Sequence, residues 1–454
     1  MPEAKGSLSR RGFIGAVGAV GAFGSVSAGS GAAKAAALEK KKFLDKAPDG
    51  APLKAGLVGC GGRGSGAAQN FLNAGPNLKI TALGDVFQDR LDSCRKSLKE
   101  KKKQEIPDSN CFLGFDAIQR VIDSGVDIVL LATPPFFRPE QFAACVAAGK
   151  HVFMEKPVAV DPVGARSILE SAKKADAAGL AVATGTQRRH QRDYAATFEM
   201  VRKGAIGDIV AANCYWNGGQ LWYREKQKDW SDMEYMIRDW VNWCWLSGDH
   251  IVEQHVHNID VINWFTGMHP VKAVGFGARH RRVTGDQFDC FSVDFTYENG
   301  IHVHSMCRQI DGCVNNVSES IRGTRGSTNC RNKVLSPDGA KVWSYDYGKD
   351  SRGRPRKNVK VSPYDQEHVD LVTAIRTKKA FNDAKATAIS TLAAIMGRIT
   401  CYTGKAVTWD EMMKSDLKLG PKKLAMGPVD IKAVIPVPGT AKDKPKPSKK
   451  KKSK

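Results

Sequence analysis

The segment that most constrains this chain is a short apolar run, Leu53 to Val58, that breaks into Gly59-Cys60-Gly61-Gly62-Arg63-Gly64 and continues into a helix-compatible stretch, Ser65 to Leu72. A strand that turns on G-x-G-x-x-G into a helix has a physical use. Gly59 permits the tight turn, Gly61 lets the backbone approach a pyrophosphate, and Gly64 allows close packing of helix on strand. The helix then meets the phosphates with its unpaired N–H groups and the positive end of its dipole, and Gly62 and Arg63 belong to the same phosphate-facing loop. The next apolar run, Leu78 to Gly84, ends in Asp85, 21 residues after Gly64. A carboxylate there accepts hydrogen bonds from ribose hydroxyls and repels a 2′-phosphate, so the pattern predicts a dinucleotide site that favours NAD over NADP. The competing reading is a Gly-rich turn with an incidental Asp, and the coincidence of both features weighs against it.

The alternation continues through a helical segment Asp116 to Asp123, a buried strand Val126 to Thr133, a helix up to Gly149 and a strand His151 to Met154. Strands alternating with helices predict an α/β fold with a doubly wound parallel sheet, a Rossmann domain. Thr133-Pro134 and Glu155-Lys156 then fall at the carboxyl ends of strands, where such sheets bind ligands.

At 454 residues the chain is long enough for two domains with full cores. Its net charge of +22 invites a nucleic-acid reading, but residues 441–454 alone hold eight Lys and one Asp, in a Pro/Lys/Ser tail that cannot build a core. A solvated surface and tail is the preferred account, contact with an anionic polymer or envelope surface the lesser one, and no nucleic-acid partner is expected. Eleven Cys are scattered without a C-x-x-C pair, so neither a disulfide framework nor a metal cluster is predicted.

Ser9-Arg10-Arg11-Gly12-Phe13-Ile14 resembles the twin-arginine export signal and leads into an apolar, Gly/Ala-rich stretch ending in Val26-Ser27-Ala28, small residues suited to cleavage after Ala28. The stretch is short and Gly-rich for a membrane span. The expectation is a signal over 1–28 and an exported, periplasmic protein with no integral span after cleavage; an uncleaved anchor is the alternative.

Gly149-Lys150-His151-Val152 with Glu155-Lys156-Pro157 resembles the G-K-H-V-x-x-E-K-P signature of the Gfo/Idh/MocA family, the glucose-fructose oxidoreductases and inositol dehydrogenases. The resemblance runs from about Leu53 to Asp410. It implies a nicotinamide-dependent oxidoreductase acting on a CH–OH group of a sugar, sugar acid or cyclitol. It also implies a second, α+β domain whose open, mostly antiparallel sheet supplies substrate contacts and a dimer or tetramer interface. Strand-like runs Ile209 to Trp216, Val271 to Phe276, Cys290 to Tyr297 and Ile301 to Cys307 agree. The chain then divides into a linker (29–52), a cofactor domain (53–183), a substrate and oligomerisation domain (184–383), a helix returning to the cofactor domain (384–412), and an extension with a Lys/Pro-rich disordered tail (413–454).

The family's catalytic helix carries D-x-x-x-H-x-x-D after a glycine turn, and Gly248 to Asp260 resembles it. His257 and Asp260 match; Glu253 stands in place of the usual Asp, and His255 in place of a usual Gly. The resemblance assigns Lys156, His257 and Glu253 to catalysis and Asp260 to the substrate. The spacing makes sense by itself. Glu253 and His257, at i and i+4, share a helix face, so the carboxylate can orient the imidazole and raise its basicity. Oxidising an alcohol by hydride transfer needs a base for the hydroxyl proton, and Lys156 supplies a fixed positive charge for the oxygen. A metal reading of His250, Glu253 and His257 at i, i+3 and i+7 stands second, because two of the three already have other work, and no metal is expected. His255 is weighed as structural.

Arg138 appears where many relatives place a His. Gly185 to His190 resembles the family's R-R loop, so that Arg189 or His190 contacts substrate oxygens, with a surface Arg as the alternative. The aromatic residues from Trp216 to Trp245 serve either sugar stacking or a core and interface. Outside the cytoplasm there is no NAD pool, so the cofactor would be tightly bound and restored within the site. A redox-neutral glycosidase or sugar lyase, which oxidises, eliminates, hydrates and reduces again, is therefore the main alternative function. A non-catalytic sugar- or NAD-binding protein is the third.

Overall fold

The computed structural model describes residues 43–440, so the expected export signal and the Lys-rich tail lie outside the described residues. Six strands form the first sheet: β1 (Leu53–Val58), β2 (Leu78–Asp85), β3 (Cys111–Leu113), β4 (Ile128–Leu131), β5 (His151–Met154) and β6 (Val182–Thr184). All pair in parallel in the order β3-β2-β1-β4-β5-β6. The order reverses between β1 and β4, which opens a crevice at their carboxyl ends. Successive residues of a strand point to opposite faces, so Leu57 joins Phe71, Leu130 and Phe153 on one side while Val58 joins Val129, Phe142 and Met154 on the other. The run Val126 to Thr133 contributes only Ile128–Leu131 to the ladder. The chain leaves the sheet before Thr133-Pro134 because the second strand of such a crevice must turn away to open it.

The second sheet holds β7 (Ile209–Gly218), β8 (Pro270–Ala278), β9 (Cys290–Tyr297), β10 (His302–Gln309), β11 (Asn316–Gly323), β12 (Gly326–Thr328), β13 (Lys333–Leu335), β14 (Lys341–Ser344) and β15 (Val407–Thr408). Its order is β14-β13-β12-β11-β7-β10-β9-β8-β15, and every neighbouring pair except β7 with β10 is antiparallel. One face is core: Phe291, Val293, Phe295 and Tyr297 of β9 alternate inward beside Val303 and Cys307 of β10. The other face is open, with Val274, Phe276, Met306 and Val317 exposed. The α/β Rossmann half and the mostly antiparallel second sheet are those expected.

The helix Ala384–Thr403 belongs to both halves. Ala384 and Ala388 pack with Val152 and Val182 of the first, while Leu392 to Met396 pack with Ile259, Phe291 and Phe295 of the second. Near its end the buried Arg398 donates to the carbonyl oxygens of Val160 at 2.9 Å and Gly248 at 2.8 Å. Two segments were not foreseen. Between β7 and the Gly248 turn, residues 219–243 form a loop with one short α-helix, Asp232–Arg238, and a 3₁₀ turn, Trp240–Asn242. After the helix Trp409–Lys414, residues 415–440 run without helix or strand and fold back against that loop, the amide of Met233 donating to the carbonyl of Gly427 at 3.0 Å. No helix among the described residues is long and apolar enough to cross a membrane.

Candidate active site

Two glycines of the loop are required by close packing. Gly59 has φ +93°, and a Cβ on it would lie 2.6 Å from the Ala132 carbonyl carbon; a Cβ on Gly64 would overlap the Gly59 carbonyl oxygen at 1.8 Å. Gly61 and Gly62, by contrast, have nothing within 4 Å on their Cβ side, so they face open crevice. The helix Gly62–Asn73 begins without a side-chain cap, and its first amides stay available to a ligand. Asp85 turns its carboxylate inward: Oδ2 accepts from the Cys60 amide at 2.6 Å and Oδ1 from the Phe87 amide at 3.0 Å. Burial pushes its pKa up, and those amides oppose the shift.

These residues line a cavity of about 430 Å³ that also takes in Thr133 and Pro134. Thr133 Oγ1 donates to Gln141 at 2.6 Å. Arg63, Arg90, Arg224 and Arg238 line it; Arg63 is paired with Glu155, and Arg90 and Arg238 with Asp89, which leaves Arg224 without a carboxylate partner among the described residues. A cradle of bare backbone, uncapped amides and guanidinium groups fits a dinucleotide with its two phosphates.

At the end of β5, Glu155 accepts from Arg63 Nε. Burial alone would raise its pKa, but Arg63, Lys156 and Arg138 hold it below the usual carboxylate range. Arg138, the departure from the family pattern, is buried and donates to the carbonyl oxygens of Pro157 and Thr133, both at 2.5 Å. Burial pulls its pKa down to about 10. It ties the Thr133-Pro134 turn to the loop that carries Lys156. Lys156 Nζ lies 3.0 Å from Glu253 Oε1 and also donates to the Glu253 carbonyl.

The segment Gly248 to Asp260 is not one helix, which corrects the expected Glu253–His257 pairing. His250–Glu253 makes a single turn, the chain breaks at Gln254-His255, and helix resumes over Val256–Thr266. At the break, His255 is drawn beneath the second sheet, with its Nε2 2.7 Å from Ser305 Oγ. Glu253 consequently turns to Lys156 and Gln254. His257 instead lies against Trp216, their rings 5.6 Å apart and 22° from parallel. The metal reading falls with the same break, since His250, Glu253 and His257 do not bring one ligand atom each within 4.8 Å of one another. Burial, then the charges of Lys156 and Arg188, push the His257 pKa well below the ordinary value, leaving a neutral imidazole able to accept a proton at neutral pH.

The R-R loop is also corrected. Arg189 forks onto Asp260 at 2.8 and 2.9 Å, and Ser390 Oγ donates to the same carboxylate at 2.8 Å. His190 is buried with its ring nitrogens 2.7 Å from Asp370 and 3.1 Å from Asp383. The three residues expected at the substrate therefore hold loop and helices together. Arg188, which the sequence reading passed over, lies nearer His257: its guanidinium is 5.7 Å from the centre of the Trp216 ring, and Nη1 donates to the buried Glu319 at 2.5 Å. The usable signal was the tightness of the turn. In the 3₁₀ turn Gln187–His190, neighbours point about 120° apart, so adjacent arginines cannot share a task.

Residues 53–184 match the model described as an oxidoreductase family with an NAD-binding Rossmann fold, and residues 194–329 match the GFO/IDH/MocA C-terminal domain, more than half of the chain between them. The chain belongs to the Gfo/Idh/MocA oxidoreductase family. Among its Gfo/Idh/MocA relatives, the myo-inositol 2-dehydrogenase of Thermotoga maritima is 30% identical over 155 residues, 34% of this chain and 42% of that protein. The scyllo-inositol 2-dehydrogenase (NADP(+)) of Bacillus subtilis (strain 168) is 26% identical over 249 residues, 54% of this chain and 60% of that protein. The chain thus aligns with about two fifths to three fifths of these relatives' length. The scyllo-inositol dehydrogenase of Lactobacillus casei, solved with NAD(H) and scyllo-inositol, shares the fold with a TM-score of 0.57 at 21% identity, covering 79% of this chain and 99% of that one. Both Gfo/Idh/MocA model matches end before residue 330, so the extension from 415 onward lies outside them.

Proposed function

We propose that the protein is an NAD-dependent oxidoreductase that takes a hydride from a CH–OH carbon of a sugar, sugar acid or cyclitol. The observation that carries the reading is the meeting of three groups at the carboxyl edge of the parallel sheet. Lys156 follows Glu155, which holds Arg63 of the glycine-lined crevice, Glu253 fixes the Lys156 ammonium, and the neutral His257 follows on the same chain segment as Glu253. The relatives' names, inositol dehydrogenases, support a cyclic polyol as substrate.

The amides of Gly61, Gly62 and Arg63 would hold the phosphates, and Asp85 the adenosine ribose. The bound dinucleotide supplies the hydride acceptor. Lys156 places a positive charge on the substrate oxygen and stabilises it as the proton leaves. His257 receives that proton, with Trp216 covering its ring and limiting water. Arg188, its guanidinium 5.7 Å from the centre of the Trp216 ring that stacks on His257, would contact substrate oxygens in place of Arg189 and His190. Two further proposals accompany this reading. The protein is exported by the twin-arginine route, and it assembles as a dimer or tetramer through the open face of the second sheet, where Phe276 is 73% exposed.

The test is kinetic. Lys156→Ala and His257→Ala should each lose about 10² to 10⁴ in kcat on inositols, aldoses or uronic acids, while NAD binding measured by calorimetry persists. Near-normal turnover by either variant would reject that residue's role. Because Asp85 lines the crevice at the end of β2, where we propose the adenosine ribose binds, NAD should bind more tightly than NADP, and Asp85→Ala should erode the difference; tighter NADP binding by the unaltered protein sinks the claim.

A further inference from the structure

We infer that the stretch from Trp222 to Trp240, pinned by the carboxyl-terminal extension, is a second wall of the dinucleotide site that keeps the cofactor in place between turnovers. The inference rests on the NAD reading above and adds residues that no part of the glycine fingerprint contains.

The stretch cannot hold its shape by itself. Its helix, Asp232–Arg238, is two turns long, far below the length at which a helix persists alone. Its order comes from packing: Met233, Met236 and Ile237 join Phe87 and Trp245 in an apolar cluster beside the crevice. Arg238 fastens one end, its guanidinium 4.0 Å from the centre of the Phe87 ring and its nitrogens 3.0 and 3.2 Å from the Asp89 carboxylate. Both partners lie within four residues of Asp85, so the wall is tied to the turn that carries that carboxylate.

The extension fastens the other side. Its Leu419 amide donates to Asp161 at 2.8 Å, and Gly420 lies so close to the Phe136 ring that a Cβ there would be 2.3 Å from it. Gly427 then accepts from the Met233 amide at 3.0 Å and donates to Ser231 Oγ at 3.3 Å. Leu424 and Val429 pack into the apolar cluster from outside. The extension therefore crosses from the Rossmann half to the wall and presses the wall inward.

What the wall presents to the cavity matches an anionic, aromatic ligand. Trp222 and Trp240 stand edge to face, 6.3 Å apart, and line the same cavity as the glycine loop. Arg224 lines it too, and no carboxylate pairs with its guanidinium among the described residues. A guanidinium without a carboxylate partner, resting on the Trp222 ring and lining the same cavity as uncapped helix amides, is an arrangement for holding a diphosphate. A dinucleotide so enclosed leaves by that side only when the Arg238–Asp89 fork and the Gly427 contacts open.

The experiment measures release. Full-length protein is loaded with NADH, and dissociation is followed by fluorescence after mixing with excess NAD; native mass spectrometry counts dinucleotide per subunit after desalting. Two full-length variants are compared, Leu424→Ser with Val429→Ser to unpin the wall, and Arg224→Ala to remove its charge. Each should release NADH about tenfold faster or more and lose the dinucleotide on desalting, and the Arg224→Ala effect should shrink in 1 M salt, where screening is about 3 Å. Arg224→Ala removes a side chain that no carboxylate pairs with among the described residues and whose guanidinium rests only on the Trp222 ring, 5.6 Å from its centre, so it remains informative if the unpinned variant does not fold. Release at the unaltered rate in Arg224→Ala overturns the wall while leaving the NAD reading intact. Unaltered protein that binds no NADH at all overturns that reading, and the wall with it.

Discussion

His257 is kept uncharged by its surroundings, and that has a sign in pH. Together with His250, His255 and His368 it is buried, and burial lowers the pKa of all four, that of His255 to about 3. In the unfolded chain these side chains take up protons near pH 6.5, so below that the unfolded state binds more protons than the folded one. Their contribution is fully present above about pH 6.5 and is lost as pH falls toward the folded values, at up to about 1.4 kcal/mol per pH unit for each histidine. Urea unfolding at pH 7.5 and pH 5 should show the loss; equal stability would mean that the histidines titrate normally. The same shift should keep kcat/KM level from neutral pH to below 6.5, and an acid limb centred at an ordinary histidine pKa would remove His257 as the base. Arg138→Ala should cost about 1–3 kcal/mol for each of the two carbonyls left without a donor, read as a lower urea midpoint, and should lower kcat by displacing Lys156. Of these residues, Lys156 and His257 were legible because a local motif fixes each. The partner of Glu253 was not, since the break that redirects it depends on Ser305, fifty residues further along. Nor was the division of labour between Arg188 and Arg189, which only the turn's geometry separates.

Strands were legible where burial on one or both faces writes a period into the sequence. β1, β2 and β9 begin and end where alternation and apolar runs place them. The short strands β12 to β15 carry too few residues for any period to register, and they are found only by what they pair with. The stretch 219–243 and the extension were illegible for a different reason: their order is borrowed from Phe87 and Phe136 in another part of the chain. At this scale the Arg189–Asp260 fork is the joint between the R-R loop and the helix Val256–Thr266. Arg189→Ala leaves the Asp260 carboxylate buried with Ser390 as its remaining donor, and should destabilise the fold by about 3–5 kcal/mol, whereas an exposed loop arginine would cost almost nothing. Chemical denaturation separates the two outcomes.

For the molecule as a whole, the proposed export and the proposed enclosure of the cofactor make a joint demand. A dinucleotide carried out with the folded protein must end each cycle in the oxidation state in which it began. On that proposal the net reaction should be either oxidation of one sugar paired with reduction of another carbonyl, or a redox-neutral cleavage of a glycoside. Protein taken from the periplasm, desalted, and given sugar pairs or aryl glycosides without added NAD should turn over many times; activity that needs added NAD, or protein confined to the cytoplasm, rejects this. The long helix Ala384–Thr403 adds a mechanical condition. With its first turns in one core and its later turns in the other, and with Arg398 tied to the carbonyls of two loop residues, Val160 and Gly248, it acts as an axle shared by both halves. Neither half can melt while leaving the other its packing, so calorimetry should record one transition, not two. Nor can the halves part like a jaw to admit a ligand, because the axle would have to be pulled from one of its bearings; traffic into the crevice is left to a small gate at its rim.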